Sequence, residues 1–269
     1  MAYPDAAGSA AGYESAVPSP APAIRRIGMA DLGAALKAGW EDFLARPSFA
    51  VFVALIYPIV GLFLLLYTVG YDFFPLLFPL AAGFALLGPV AAVGFYEISR
   101  RREQGLDSSW RHALDVFRSP SFVPIAALAG WLAALFILWL FTAWMIYQWC
   151  FPGQQITDIP AFLGEVLTTA AGWKMMLAGN LAGLAFAVAA LVLGAVSFPL
   201  LVDKDAGFDT ALRTSVRAAA ANPAAMAAWG AIVAGLLVLG TLPLFMGLAV
   251  VLPVLGHATW HLYRRLVAW

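Results

Sequence analysis

Five runs without Asp, Glu, Lys or Arg dominate the chain: 47–71, 73–96, 121–149, 175–202 and 218–263. A backbone group without a partner costs several kcal/mol in hydrocarbon, so runs of about 20 apolar residues are expected to be membrane-spanning helices. The first four runs each predict one span, the first two being separated only by Asp72. The last is too long for one crossing at about 1.5 Å per residue. Gly240-Thr241-Leu242-Pro243 divides it in two. Six spans result.

Before the odd-numbered spans the pattern changes to amphipathic. Asp31 to Pro47, Asp107 to Pro120 and Asp209 to Pro223 each start on an acid suited to an N-cap and end at a proline that opens the next span. Leu32, Leu36, Trp40 and Phe43 recur at helical spacing, as do Trp110, Leu114 and Phe117, and Leu212 and Val216. Three helices lying in the headgroup layer are expected, with a partner-docking groove as the alternative. Residues 150–174 form an outer insertion, opened by Phe151-Pro152-Gly153, whose Phe162, Leu163, Val166 and Leu167 predict a further interfacial helix.

The exit spans look like copies. From their prolines, Pro89-Val90 aligns without gaps with Pro253-Val254, Tyr96-Glu97 with Trp260-His261, and Arg100-Arg101 with Arg264-Arg265. The fourth span ends comparably in Phe198-Pro199 to Asp203-Lys204. The expected architecture is therefore all-α: a polytopic membrane bundle of six transmembrane helices in three hairpin repeats, each preceded by a cytoplasmic amphipathic helix. The repeat units are about 30–104, 107–205 and 208–266, within one membrane domain at 24–266. Residues 1–23, rich in Pro, Ala, Gly and Ser, read as a disordered tail without the charge and apolar order of a secretory signal.

Composition agrees: 63% of the 269 residues are hydrophobic and 11% are charged, far from the balance of a soluble domain. Charge then orients the bundle. Of 15 Lys and Arg residues, all but Lys174 lie in four clusters at 25–46, 100–118, 204–217 and 264–265, returning to one side after every two crossings. The positive-inside rule puts both termini and these loops in the cytoplasm. The zero net charge gives no footprint for nucleic acid. Cys150, alone, allows no internal disulfide.

Candidate chemistry is sparse. Glu97, His257, His261 and Asp203 are titratable groups near the inner ends of the exit spans, and they converge at one cytoplasmic mouth if the repeats pack around an axis. His257 and His261, four apart, share a helix face and could supply two metal ligands; pairing of Glu97 with a nearby Arg or His is the structural alternative. Asn180, beside the Gly179 and Gly183 pair, is a candidate cavity or packing residue. Walker, dinucleotide, nucleophile-elbow and HExxH motifs are absent. Only three histidines are present, one of them His112 in a lead-in helix, so a haem–copper site cannot be assembled. No cofactor is expected.

The strings Asp31-Leu32 to Gly39-Trp40-Glu41-Asp42-Phe43, Gly88-Pro89 to Tyr96-Glu97-Ile98-Ser99-Arg100-Arg101, and Leu252-Pro253 to Trp260-His261-Leu262-Tyr263-Arg264-Arg265 resemble a bacterial integral membrane family catalogued as domain of unknown function 2189. The resemblance covers about residues 24–266 and implies a place in the bacterial inner membrane, but no activity or substrate. The expected role is a non-catalytic scaffold or assembly factor for an envelope or respiratory complex. Lipid and other membrane proteins are then its partners. The alternative is a small transporter or channel with a cavity between the hairpins.

Overall fold

The computed structural model describes residues 22–45, 74–153, 158–243 and 245–269. Helix dominates them, as a chain with this much apolar sequence requires. Four helical stretches are long and apolar enough to cross a membrane: Leu77–Glu103, Phe122–Cys150, Ala170–Asp203 and Pro223–Thr241. They correspond to the expected second to fifth spans. The expected first span, 47–71, lies outside the described residues. The expected sixth forms a helix, Leu248–Leu266, but is not among the four. Its inner half carries His257, His261, Arg264 and Arg265, and much of it is buried in protein.

Two of the long helices are broken. Leu77–Glu103 comprises α2 (Leu77–Phe84), a 3-10 turn at Ala85–Leu87, α3 (Gly88–Ala91) and α4 (Val93–Glu103). Pro89 sits in the first turn of α3, where its missing N–H is tolerated. The span Phe122–Cys150 is α5, and the outer insertion contributes α6 (Ile159–Thr168), capped by the Asp158 carboxylate accepting from the Ala161 N–H. Ala170–Asp203 divides into α7 (Ala170–Gly194) and α8 (Ser197–Asp203). There the Ser215 hydroxyl donates to the Val192 carbonyl and accepts from the Val196 N–H, satisfying backbone groups at the break. A hairpin then joins α10 (Pro223–Thr241) to α11 (Leu248–Leu266).

The lead-in segments depart from expectation in their surroundings. In α1 (Met29–Ala45), Leu32, Ala35, Gly39 and Phe43 are buried, and the helix packs along α11. In α9 (Phe208–Ala221) the buried face is Ala211, Thr214, Ser215 and Ala218, against α7 and α8. Helix α1 therefore covers protein with Leu32 and Phe43 of the face expected to enter the headgroup layer, whereas α9 covers it with a face of small residues and leaves Val216 of the expected face exposed. The middle segment is a 3-10 helix, Trp110–Arg118, packed on α4. The opening acids also differ from expected N-caps. Asp31 lies inside the first turn and accepts from the Gly28 N–H, which holds its carboxyl below the usual range, and Asp209 lies inside its helix, paired with Arg213. Only Asp107 precedes its helix, accepting from the Ser109 N–H.

The exit helices α4, α8 and α11, whose C-terminal ends are those expected to be inner, are in mutual contact. Each carries a lead-in: the 3-10 helix on α4, α9 on α8, and α1 on α11. The last pairing joins the beginning of the chain to its end. Strand β1 (Ala23–Ile24) reinforces the closure by pairing antiparallel with β2 (Val267–Ala268), so Ala23, assigned to the tail from sequence, is ordered. Asn222 ties in a third partner, accepting from the Ile27 N–H and donating to the Arg25 carbonyl.

At the end expected to face outward, α6 buries Phe162 and Val166 against Tyr147, Cys150 and Phe151, while Leu163 and Leu167 stay exposed. The insertion helix thus packs on protein with half of the face expected to be interfacial. Lys174 lies over the Trp149 ring, 3.3 Å from its centroid.

Candidate functional site

The inner ends of α1, α4 and α11 build a buried polar cluster. Gly39 of α1 crosses α11 so closely that a Cβ on it would lie 2.5 Å from the Ala258 backbone nitrogen. One helical turn further on, this approach delivers Asp42, on the same stripe as Ala35 and Gly39, into the interface. Its Oδ2 accepts from the Ser99 hydroxyl at 2.5 Å and from His261 Nε2 at 2.9 Å, while Arg102 Nε lies 3.4 Å from Oδ1. Ser99 Oγ is also 2.8 Å from His257 Nδ1. Facing a carboxylate, His261 carries a proton on Nε2, while His257 lies between the Ser99 hydroxyl and the Phe95 backbone. Asp42, Ser99 and His257 are 7%, 1% and 2% exposed. Burial pushes the Asp42 carboxyl up, but the hydrogen bonds from His261 and Ser99 and the charges of both imidazoles hold it, on balance, below the usual carboxylate range.

A second cluster flanks this one on α11. Tyr263 donates its hydroxyl to Asp203 Oδ2 at 2.8 Å, and Arg264 reaches Asp203 at 3.4 Å and Glu103 at 3.0 Å. Trp260, fully buried, donates its indole N–H to Glu103 Oε2 at 3.0 Å. Three exit helices are thereby joined through side chains of α11.

Glu97 turns along its own helix. Arg100 grips it bidentately, both bonds 2.7 Å, and Arg101 Nη1 stands 3.8 Å away, between Glu97 and Asp115. Of the four titratable groups expected at one mouth, His257 and His261 meet at Asp42, Asp203 reaches a different face of α11, and Glu97 joins an arginine pair. Asn180 is exposed and donates to the Met176 carbonyl at 2.8 Å. Of its glycine neighbours, Gly183 faces Trp139 closely and Gly179 faces open space.

Asp42 and Ser99 are the residues that sequence reasoning missed. The signal was an acid on the buried stripe of an otherwise regular amphipathic helix, beside Trp40 on the exposed side. Among the described residues, no group of three or more His, Cys, Asp or Glu is arranged to hold a metal ion. Nor does any buried side-chain polar atom among them lack a hydrogen-bond partner. The arrangement gathers a hydroxyl, an imidazole and a guanidinium on one carboxylate, and it can clamp helices or respond to the charge of Asp42. An apolar recess of about 460 Å³ lies elsewhere, between Leu87 and Val90 on one side and Ala129 and Ala133 on the other.

Residues 77–203 match the family model described as "Predicted integral membrane protein (DUF2189)". The string from Gly88 to Arg101 lies inside the matched region, while those from Asp31 and Leu252 lie outside it. No curated protein and no solved structure matches the chain.

Proposed function

For a chain that carries over residues 77–203 the pattern of a family of predicted integral membrane proteins, we propose a non-catalytic scaffold or assembly factor. It crosses the bacterial inner membrane six times, has both termini in the cytoplasm, and serves an envelope or respiratory complex. The observation that carries this reading is the clamp at Asp42. The titratable groups at the inner ends are spent on one another across α1, α4, α8 and α11, in the manner of joints between helices. Groups serving a passing substrate would instead be turned toward a path.

The cyclic contacts support three repeated units. In each case an exit helix receives a lead-in, and the third exit helix receives the first lead-in. Two close crossings correspond as well. In the alignment from Pro89 and Pro253, Gly94 matches Ala258; Gly39 meets Ala258, and Gly94 meets Ala113, with a Cβ on Gly94 lying 3.2 Å from the Ala113 Cβ. A small-residue pair thus occupies the same place in both copies, with the glycine exchanged between partners. Small residues permit such close helix approach.

Purification in mild detergents and in lipid nanodiscs, followed by mass spectrometry, tests the scaffold. A stoichiometric membrane-protein partner recovered under several solubilisation conditions is the expected result. A chain that runs alone in all of them, together with liposome flux that changes on Glu97→Gln or His261→Ala, would replace the scaffold by a transporter.

A further inference from the structure

The three lead-in segments differ in one respect that neither the repeat nor the scaffold reading requires. In α1 the large apolar residues Leu32 and Phe43 are buried on protein and Trp40 alone of its apolar face is exposed, while α9 buries mainly small residues and exposes Val216. In the middle segment, Trp110, Leu114 and Phe117 are 52%, 55% and 64% exposed, while only the small Ala113 and Val116 face inward. Leu114 and Phe117 share one row of the 3-10 helix with Arg111, and Trp110 is half-exposed at its start; large apolar side chains on a segment held from behind need an occupant.

We infer that the 3-10 helix Trp110–Arg118 is a membrane-surface anchor: Trp110, Leu114 and Phe117 enter the headgroup and acyl-chain boundary, and Arg111 and Arg118 bind the phosphate of anionic lipid. Continuity identifies the occupant. The Phe117 ring lies tilted against that of Phe122, 5.7 Å between centroids; Phe122 is the first residue of the apolar span Phe122–Cys150, and the exposed surface runs on through Val123. That span is long and apolar enough to cross the bilayer, so the segment meets the membrane at its border, where Trp and Arg are favoured.

The charges are sorted accordingly. Both acids of the segment are engaged with the protein: Asp107 with Ser109 and His112, and Asp115 with His112 and Arg101. The Arg101 side chain also donates to the Asp107 carbonyl at 2.6 Å, pinning the segment to α4. Arg111 and Arg118 are exposed, each next to one of the apolar anchors in sequence. The membrane-facing border therefore presents apolar side chains with cations beside them, the complement of an anionic leaflet.

The test uses the full chain in nanodiscs, with Leu114→Cys in a Cys150→Ser background carrying a fluorophore. Quenching is read with spin-labelled phosphatidylglycerol, with spin-labelled phosphatidylcholine, and with aqueous iodide. Shallow nitroxides should quench strongly, iodide weakly, and the anionic lipid should be preferred several-fold. Each arginine near a charged surface is worth roughly fivefold in affinity. The preference should therefore fall to near parity in Arg111→Gln/Arg118→Gln and return in Arg111→Lys/Arg118→Lys. Free access of iodide overturns the anchor, and equal quenching by the two lipids that ignores the arginine changes overturns the headgroup site. Shielding that tracks protein concentration or a co-purified chain assigns the face to a second copy or a partner instead. None of these readouts depends on the scaffold proposal.

Discussion

Removing the Asp42 carboxylate should destabilise the protein more than any other single change to its inner end. Asp42→Ala takes the acceptor from Ser99, His261 and Arg102 together. The His261 and Arg102 side chains, 22% and 40% exposed, can turn to water. Ser99 and His257 cannot, being almost wholly enclosed. Each buried donor left without a partner costs about 1–3 kcal/mol, and breaking one side of a buried charged network costs about 3–5 kcal/mol in all. Asp42→Asn keeps the shape and one acceptor oxygen, so its cost should be about 1–2 kcal/mol. Ser99→Ala should couple to Asp42→Ala by about 0.5–3 kcal/mol in a double-mutant cycle, since the two residues share one hydrogen bond and one histidine. Thermal unfolding of the detergent-purified protein, followed by tryptophan fluorescence at a fixed scan rate, gives the comparison. If the Ala variant unfolds with the wild type, or if Asn costs as much as Ala, the clamp does not hold the helices as described.

Acid should weaken the same clamp. Because the folded protein holds the Asp42 carboxyl below the usual range, its contribution is full above the unfolded carboxylate pKa near 3.8 and is lost as pH falls through the lower folded value. The difference in melting temperature between wild type and Asp42→Asn should therefore shrink on acidification, and a constant difference would refute the assignment. Gly39→Leu should loosen α1 from α11 at about 1–3 kcal/mol or more, because even its Cβ meets backbone that cannot rotate away; limited proteolysis after Ala45 reads the release. For topology, single cysteines replacing Lys37 or Arg213 in a Cys150→Ser background should be shielded from an impermeant maleimide in intact cells, and one replacing Lys174 should react. Labelling of Lys174→Cys and Arg213→Cys from the same side would break the six-span threading.

The spans were legible because lipid imposes a one-dimensional rule: apolar length and missing charge suffice for Phe122–Cys150 and Pro223–Thr241. The rule speaks less clearly at Leu248–Leu266, whose inner half carries His257, His261, Arg264 and Arg265 and is largely buried in protein. Periodicity also found the lead-in segments, but it reports only that a face is apolar, not what covers it. Leu32 and Phe43 are buried in the core while Trp110 and Phe117 are more than half exposed, although the two patterns look alike. The same limit hid the site. Asp42 is informative only once its stripe is known to lie against α11, a contact between opposite ends of the chain.

The repeat gives the Asp42 cluster a reference point. Aligning Phe43 with Phe117 places Asp42 opposite Val116, and the Pro89–Pro253 alignment places His257 opposite Val93. Val93 and Val116 are both buried in the core around the corresponding crossing. One crossing is thus closed by valines where the other uses a carboxylate and an imidazole. Apolar side chains of similar volume often match or exceed a buried ion pair in stability, whereas removing one partner alone is costly. Asp42→Val/His257→Val should therefore recover most of what either single change loses, ending within about 2 kcal/mol of wild type. Ser99 can still bond the backbone of its own helix. Paired thermal melts of the singles and the double check this, and a double as unstable as the sum of the singles would refute the equivalence of the crossings. If the double folds and still binds the partner found by co-purification, the polar clamp is an alternative way of closing a joint. If it folds and loses that partner, the charge at Asp42 is what the partner requires, since the geometry of the crossing is then supplied by the valines.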